Sequence, residues 1–283
     1  MVSRREFFQR SVLAGAGGLA LSRLAWAEGE SAATAGLLPA AASTWGFGRQ
    51  ANEAALAVLA AGGSALDAVE QGIWVTEADL TNASVGAGGT PNADGVVQLD
   101  ACIMDGVTHR AGSVAALEGI LHPISAARRV MEQTRNVMLV GEGARRFALA
   151  QGLATAEMPT PERRKAWEAW RAKQQAAEKT HDTIALLVVD AHGILGENIM
   201  RYCGSFAVVE RMRQGMPPRE ACLATVEWIV RQEGRTTGLD VNFVALDRYG
   251  RAGGAGSSGG FAYSFSTPEG SQVIEAAVTV PGR

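Results

Sequence analysis

His181-Asp182-Thr183-Ile184 is followed by the apolar run Ala185-Leu186-Leu187-Val188-Val189. This puts a hydroxyl at the mouth of what reads as a buried strand. A threonine hydroxyl is too weak an acid to react unaided, but a cut before Thr183 would free an α-amine as a base within the same residue. That amine titrates at about 7.7–8.0, close to the pH at which a general base works best. The alternative is that Thr183 only opens a strand, as β-branched residues do. Four residues make a weak motif, so the elements that position them have to decide.

The chain has 283 residues, a formal net charge of −3 and 47% hydrophobic residues, which suits one large domain or at most two. There is no basic excess or stripe to meet nucleic acid. Cys102, Cys203 and Cys222 show no CxxC spacing and read as buried thiols or at most one bridge. His109, His122, His181 and His192 are scattered without an HxH or HxxxH pair, so neither a metal nor any other cofactor is expected. The amino terminus is more specific. Arg4-Arg5 precedes a small, weakly apolar run from Ser11 to Leu24 that closes on Ala25-Trp26-Ala27. This is the layout of a twin-arginine export signal over residues 1–27, with a periplasmic or secreted destination. The run is too short and glycine-rich to span a membrane.

After a segment from Glu28 to Ala42 expected to be disordered, Ser43 to Gly48 reads as a short strand ending in a turn. A helix from Arg49 stops at Gly62-Gly63, and Ser64-Ala65-Leu66-Asp67 is a capping box that opens a second, to about Asp79. The glycine-rich stretch Ser84–Gly95 leads into a strand, not a helix, so it is a loop and not a phosphate cradle. Strands are expected at Val96–Ile103, Gly112–Gly119 and Asn136–Val140, and helices at Pro123–Thr134 and Glu142–Gln151. Thr160-Pro161 caps a charged helix from Glu162 to about Lys179, whose Trp167 and Trp170 rest on the body.

Beyond Thr183, Asp190–Gly193 reads as a hairpin turn, but only Ile194-Leu195 follow before Gly196 and a helix from Glu197 to Gln214. A strand as apolar as Ile184–Val189 belongs inside a sheet with a partner on each side, and its return strand is missing. A helix at Pro218–Gln232 is followed by a second hairpin, Val241–Asp247, with a Gly/Ser-rich return to Phe261–Phe265.

With these residues in view, the chain resembles the glycosylasparaginase family, amino-terminal-nucleophile hydrolases related to plant-type asparaginases and isoaspartyl peptidases. The resemblance rests on Ser43–Phe47, Ser84-Val85-Gly86 with Pro91–Gly95, Leu99–Gly106, Gly112–Ile120 with His122–Ser125, Val137–Gly143 and His181–Thr183, and resumes at Glu197–Cys203. It implies an α+β fold, a four-layer αββα sandwich, and a precursor that cuts itself between Asp182 and Thr183. The two chains, 28–182 and 183–283, would form an α/β heterodimer, and such heterodimers a dimer. Thr183 would then attack the side-chain amide of a glycosylated asparagine or aspartyl substrate, with Trp45 lining the site, Ser84 near the nucleophile and His181 positioning the scissile turn. Isoaspartyl peptidase or L-asparaginase activity is the neighbouring reading; a non-catalytic remnant or exported binding scaffold is the other.

One departure from the family is large. Its members continue past the turn into a return strand with a second threonine, an Arg and Asp pair that clamps the substrate's α-carboxylate and α-amine, and a Thr-Gly oxyanion loop. About forty residues are missing after Gly196, judged against typical strand and loop lengths. No residue here can take those roles.

Overall fold

The computed structural model describes residues 37–173, 186–188, 202–233 and 240–278. His181, Asp182, Thr183, the export signal, the Asp190–Gly193 turn and the Gly196 junction lie outside them. The described chain is α+β, as expected. One antiparallel sheet has the order β5-β1-β8-β9, built from β1 (Ala41–Thr44), β5 (Leu186–Val188), β8 (Ala262–Thr267) and β9 (Gly270–Glu275). A second has the order β10-β7-β6, from β6 (Asn242–Leu246), β7 (Ala252–Gly256) and β10 (Ala277–Val278). A third, β2-β3-β4, joins β2 (Leu99–Met104) antiparallel and β4 (Met138–Val140) parallel to β3 (Ala111–Leu117). The helices are α1 (Gly48–Ala60), α2 (Ala65–Glu77), α3 (Pro123–Gln133), α4 (Gly141–Ala150), α5 (Pro161–Lys173), α6 (Gly204–Arg213) and α7 (Pro218–Glu233).

The period-two alternation of β1 decides what lies on each side of it. Ala41 packs with Ala51 and Ala55 of α1 and with Ala68 and Ile73 of α2. Ala40 and Ala42 pack the other way, with Val244 and Leu246 of β6 and with Phe261 and Tyr263. Phe243, Ala245 and Ala255 then meet Cys222, Val226 and Ile229 of α7. Helix α2 begins as the sequence dictates: Ser64 Oγ accepts the Asp67 N–H at 3.1 Å while Asp67 Oδ2 accepts the Ser64 N–H at 3.1 Å. Arg128 of α3 reaches back to α2, with Nη1 2.7 Å from both Asp67 Oδ1 and Glu70 Oε2. The Ser64 and Arg128 hydrogen bonds lower the Asp67 carboxyl to about 2.

Four expectations need correction. Ala41 and Ala42, assigned to a disordered segment, are fully buried in β1. The return strand of β6 is the glycine-rich Ala252–Gly256 itself, with Ala255 opposite Phe243. Phe261–Phe265 instead enters the other sheet as β8, opposite β1. Glycine is weak in strands, but Cβ atoms on Gly253 would stand 2.3 Å from the Arg219 backbone nitrogen, so α7 sits where only glycine allows it. Finally, the three cysteines are free, and Cys102 and Cys203 are exposed rather than buried.

Helix α3 lies equally close on β3: a Cβ at Gly112 would stand 2.2 Å from the Ala127 carbonyl oxygen and 2.4 Å from the Met131 nitrogen. Both are backbone atoms that cannot turn aside. Gly112→Ala is expected to cost about 1–3 kcal/mol, the range for overpacked interiors, read as a lower denaturant midpoint with an unchanged slope.

Candidate active site

Trp45 follows β1 directly and turns the chain out of the sheet with φ of 64°. A bulky side chain in the left-handed region stores about 1–3 kcal/mol and persists only where its surroundings fix it. Here its N–H donates to Ala262 O at 2.9 Å, and its carbonyl accepts the fully buried Ser264 hydroxyl at 2.8 Å. The half-buried indole meets Phe261 edge-on, ring centroids 5.3 Å apart. Asn52, buried on α1, donates Nδ2–H to Ser264 O at 3.1 Å, tying the helix after the Trp45 turn to β8.

Ser84 is half-buried in the loop after α2. Its N–H donates to Asn82 Oδ1 at 2.9 Å, an Asx turn. Two residues on, Gly86 has φ of 67°, and a Cβ there would stand 2.2 Å from Glu77 O. Only glycine lets the loop fold back onto the end of α2. Asp79 Oδ1 accepts the Thr81 hydroxyl at 2.7 Å and its N–H at 2.9 Å, which hold the carboxyl below its ordinary range. Gly46, Arg49, Thr76, Asp79 and Asn82 line one cleft of about 180 Å³. Gly46, next to Trp45, and Asn82, whose Oδ1 accepts the Ser84 N–H, thus share one depression that neither Trp45 nor Ser84 itself lines.

Glu77, which belongs to no sequence motif, and His122 fix the base of this loop. Glu77 is buried at the end of α2; its Oε1 accepts the Ile124 N–H at 2.9 Å, and its Oε2 lies 3.1 Å from His122 Nδ1. The Trp74 indole lies over the His122 ring at 5.2 Å and donates Nε1–H to Ser125 Oγ at 2.8 Å. The carboxylate therefore sits at the amino-terminal end of α3, the favourable pole for an anion. Desolvation still outweighs the His122 and Ile124 hydrogen bonds and raises the Glu77 pKa. The sequence cue is the His122–Ser125 stretch at a helix start; nothing marks Glu77 as its partner. Among the described residues no cluster of three or more His, Cys, Asp or Glu could hold a metal ion, and no helix is long and apolar enough to cross a membrane.

The raised Glu77 pKa has a defined sign. The folded state binds this proton more tightly than the unfolded state. Its contribution to stability is full below the unfolded value near 4.5 and is lost as pH rises through the folded value. Glu77→Gln removes the charge. Stability of wild type minus variant is therefore expected to fall as pH rises from 4 to 8, measured by denaturant titration at each pH; a flat or rising difference would contradict the assignment.

β5 joins this region from the other side: Leu186 lies opposite Ser43, two residues before Trp45. A family model described as asparaginase matches residues 29–193, ending three residues before Gly196. An N(4)-(β-N-acetylglucosaminyl)-L-asparaginase of Elizabethkingia miricola is 38% identical, with 83% of this chain and 83% of that one covered. One from Mus musculus is 32% identical, with 81% of this chain and 65% of that one covered. A probable isoaspartyl peptidase/L-asparaginase of Arabidopsis thaliana is 27% identical, with 82% and 88% covered. The bacterial match takes in more of this chain than residues 1–193 contain, so the likeness resumes beyond the family model's end. Its 284 aligned positions also exceed the share of this chain that they cover, so dozens of them face no residue here; the 237-position mouse alignment carries far fewer such positions. Carried by the family model over more than half its length and by a bacterial relative over most of it, the chain belongs to the asparaginase family that takes in the N(4)-(β-N-acetylglucosaminyl)-L-asparaginases.

Proposed function

We propose that this chain is an amidohydrolase of glycosylated asparagine, made by self-cleavage between Asp182 and Thr183. The observation that carries this reading furthest is the pairing of β5 on β1. The strands run antiparallel, and the side of β5 on which Thr183 lies in sequence is the Trp45 end of β1. Thr183 is three residues from Leu186, and three residues of chain reach at most about 11 Å. A tether of that length supports a nucleophile acting at the Trp45 end of β1.

In the first reaction Thr183 Oγ1 attacks the Asp182 carbonyl carbon, the peptide nitrogen leaves as the Thr183 α-amine, and water hydrolyses the ester to free the Asp182 carboxyl. His181 positions the turn. In the second, the same oxygen attacks the substrate's side-chain amide, with the α-amine as base. The nitrogen leaving group carries the sugar away, and water releases aspartate from the acyl-enzyme. Trp45 lines the substrate site and Ser84 stands by the nucleophile. The packing of α1–α2, the β1 sheet, the β6 sheet and α7 supports a four-layer αββα sandwich. After cleavage, 28–182 and 183–283 stay together as a heterodimer, exported by the twin-arginine route.

The residues missing after Gly196 set the level of activity. Losing one oxyanion donor costs about 10²–10³ in rate, and losing the clamp removes orientation as well. Hydrolysis of aspartylglucosamine is therefore expected at least about 10²-fold below that of an intact relative. A second reading, the non-catalytic remnant, is favoured by β5 itself, which has β1 on one side and no strand on the other among the described residues.

The test is the intact mass of the purified chain under denaturing conditions. Two chains, the second beginning at Thr183, are expected from wild type and one chain from Thr183→Ala. A single uncut wild-type chain would leave the remnant reading. Where cutting occurs, rates on aspartylglucosamine, asparagine and an isoaspartyl dipeptide separate this activity from that in the plant relative's name.

A further inference from the structure

Helix α5 is the last described helix before the proposed cut, and its contacts are lopsided. Glu162, Arg164, Lys165, Ala166 and Glu168 face solvent. Arg163 and Trp167, one turn apart on a single face, both reach the loop that carries Ser84. Arg163 donates Nε–H to Gly88 O at 2.7 Å and Nη2–H to Thr81 O at 2.9 Å. Trp167 donates Nε1–H to Asn92 O at 3.0 Å, and its ring lies so flat on Gly95 that a Cβ there would stand 2.9 Å from it. The start of the helix is fixed by Thr160, whose Oγ1 accepts the Arg163 N–H at 3.3 Å.

The loop gives a cation something to do. A Cβ at Gly88 would lie 2.5–2.7 Å from the carbonyl oxygens of Asp79, Leu80 and Asn82. With Thr81 O and Gly88 O turned to Arg163, five carbonyl oxygens crowd one short segment. Their dipoles repel, and a guanidinium bonding two of them with charge-assisted hydrogen bonds relieves that repulsion. Its planar fork bonds two oxygens in a fixed geometry, which the rotatable ammonium of a lysine does not impose.

We propose that Arg163 is a positioning residue: it holds segment 81–88, and hence Ser84, in the shape the nucleophile meets, with Trp167 seating the following turn at 92–95. None of these contacts involves the Asp182–Thr183 bond. The helix therefore stays docked once the chain is cut, and the carboxyl-terminal part of one chain keeps a site residue in place for the other. The Ser84 part of this inference rests on the function proposed above.

Hydrogen exchange and rate measurements on full-length wild type, Arg163→Ala, Arg163→Lys and Trp167→Phe decide it. The amides of Gly89, Thr90 and Asn92 donate within the loop, to Gly86 O, Ala83 O and Val96 O. In Arg163→Ala their exchange is expected to quicken at least about tenfold while β6 and β7 stay as protected as in wild type. Self-cleavage, and the kcat but not the KM of any amide hydrolysis, is expected to fall about 10- to 100-fold, the scale of a misplaced catalytic group. Arg163→Lys recovers part of both. Should Arg163→Ala fail to fold, the same shifts are read from Arg163→Lys and Trp167→Phe. Loop exchange unchanged, exchange quickened equally in β6 and β7, or a loosened loop with unchanged rates would each overturn the proposal. A wild-type chain that never cuts sinks the proposed function alone, because loop exchange still reports whether the guanidinium holds the loop.

Discussion

Everything near the candidate site depends on the close approach that β1 permits. Ala40 to Ser43 are small and fully buried, and the strand runs between β5 and β8 with α1 on one face and β6 on the other. Large side chains here would push the layers apart, and Asn52 of α1 could then no longer reach Ser264 O. The approach has an electrostatic cost. Ser43 Oγ, Asn52 Oδ1 and Ser266 Oγ are buried at this interface without a partner among the described residues, and each such group costs about 1–3 kcal/mol. Tight packing of the surrounding alanines offsets that cost, so this interface tolerates little further loss.

The site is assembled from turns that individually are unfavourable. Trp45 occupies a conformation natural to glycine, Gly86 folds a loop against a helix end, and Glu77 keeps a carboxylate out of water. Each is over-determined by distant partners: Ser264 for Trp45, the Glu77 backbone for Gly86, His122 and the Ile124 amide for Glu77. Such features persist only where several elements agree. Here β8, α2 and α3 all converge on the stretch between Trp45 and Ser84.

What could be read from the sequence was what is local. The Ser64–Asp67 box, the Thr160 cap and the stop at Gly62-Gly63 each depend on a few adjacent residues, and each formed where expected. Most of the misassignments depend on partners far along the chain. Ala252–Gly256 carries no strand propensity, yet becomes β7 because α7 needs a surface without side chains. β9 escaped notice because its exposed face breaks the alternation expected of a strand. Glu77 and His122 meet across 45 positions, and no motif announces Glu77 or the pairing. Trp45 was legible as a residue, but its left-handed backbone was not, because the hydroxyl that holds it comes from 219 residues away.

The two reactions proposed for Thr183 make different demands. Cutting a neighbouring peptide is intramolecular, so the chain itself holds the electrophile beside the hydroxyl. The elements that flank that bond in sequence are both anchored: α5 on the Ser84 loop and β5 on β1. Hydrolysing a free substrate has no such tether. Its orientation must come from groups that grip the α-carboxylate and α-amine, which the family resemblance implies are absent beyond Gly196. An intramolecular reaction gains up to about 10⁵–10⁸ M in effective concentration, which a site without a clamp cannot replace. Absence of the clamp and the oxyanion loop would therefore fall far more heavily on the second reaction than on the first, and a chain that matures without turning over substrate is a coherent product of the same geometry.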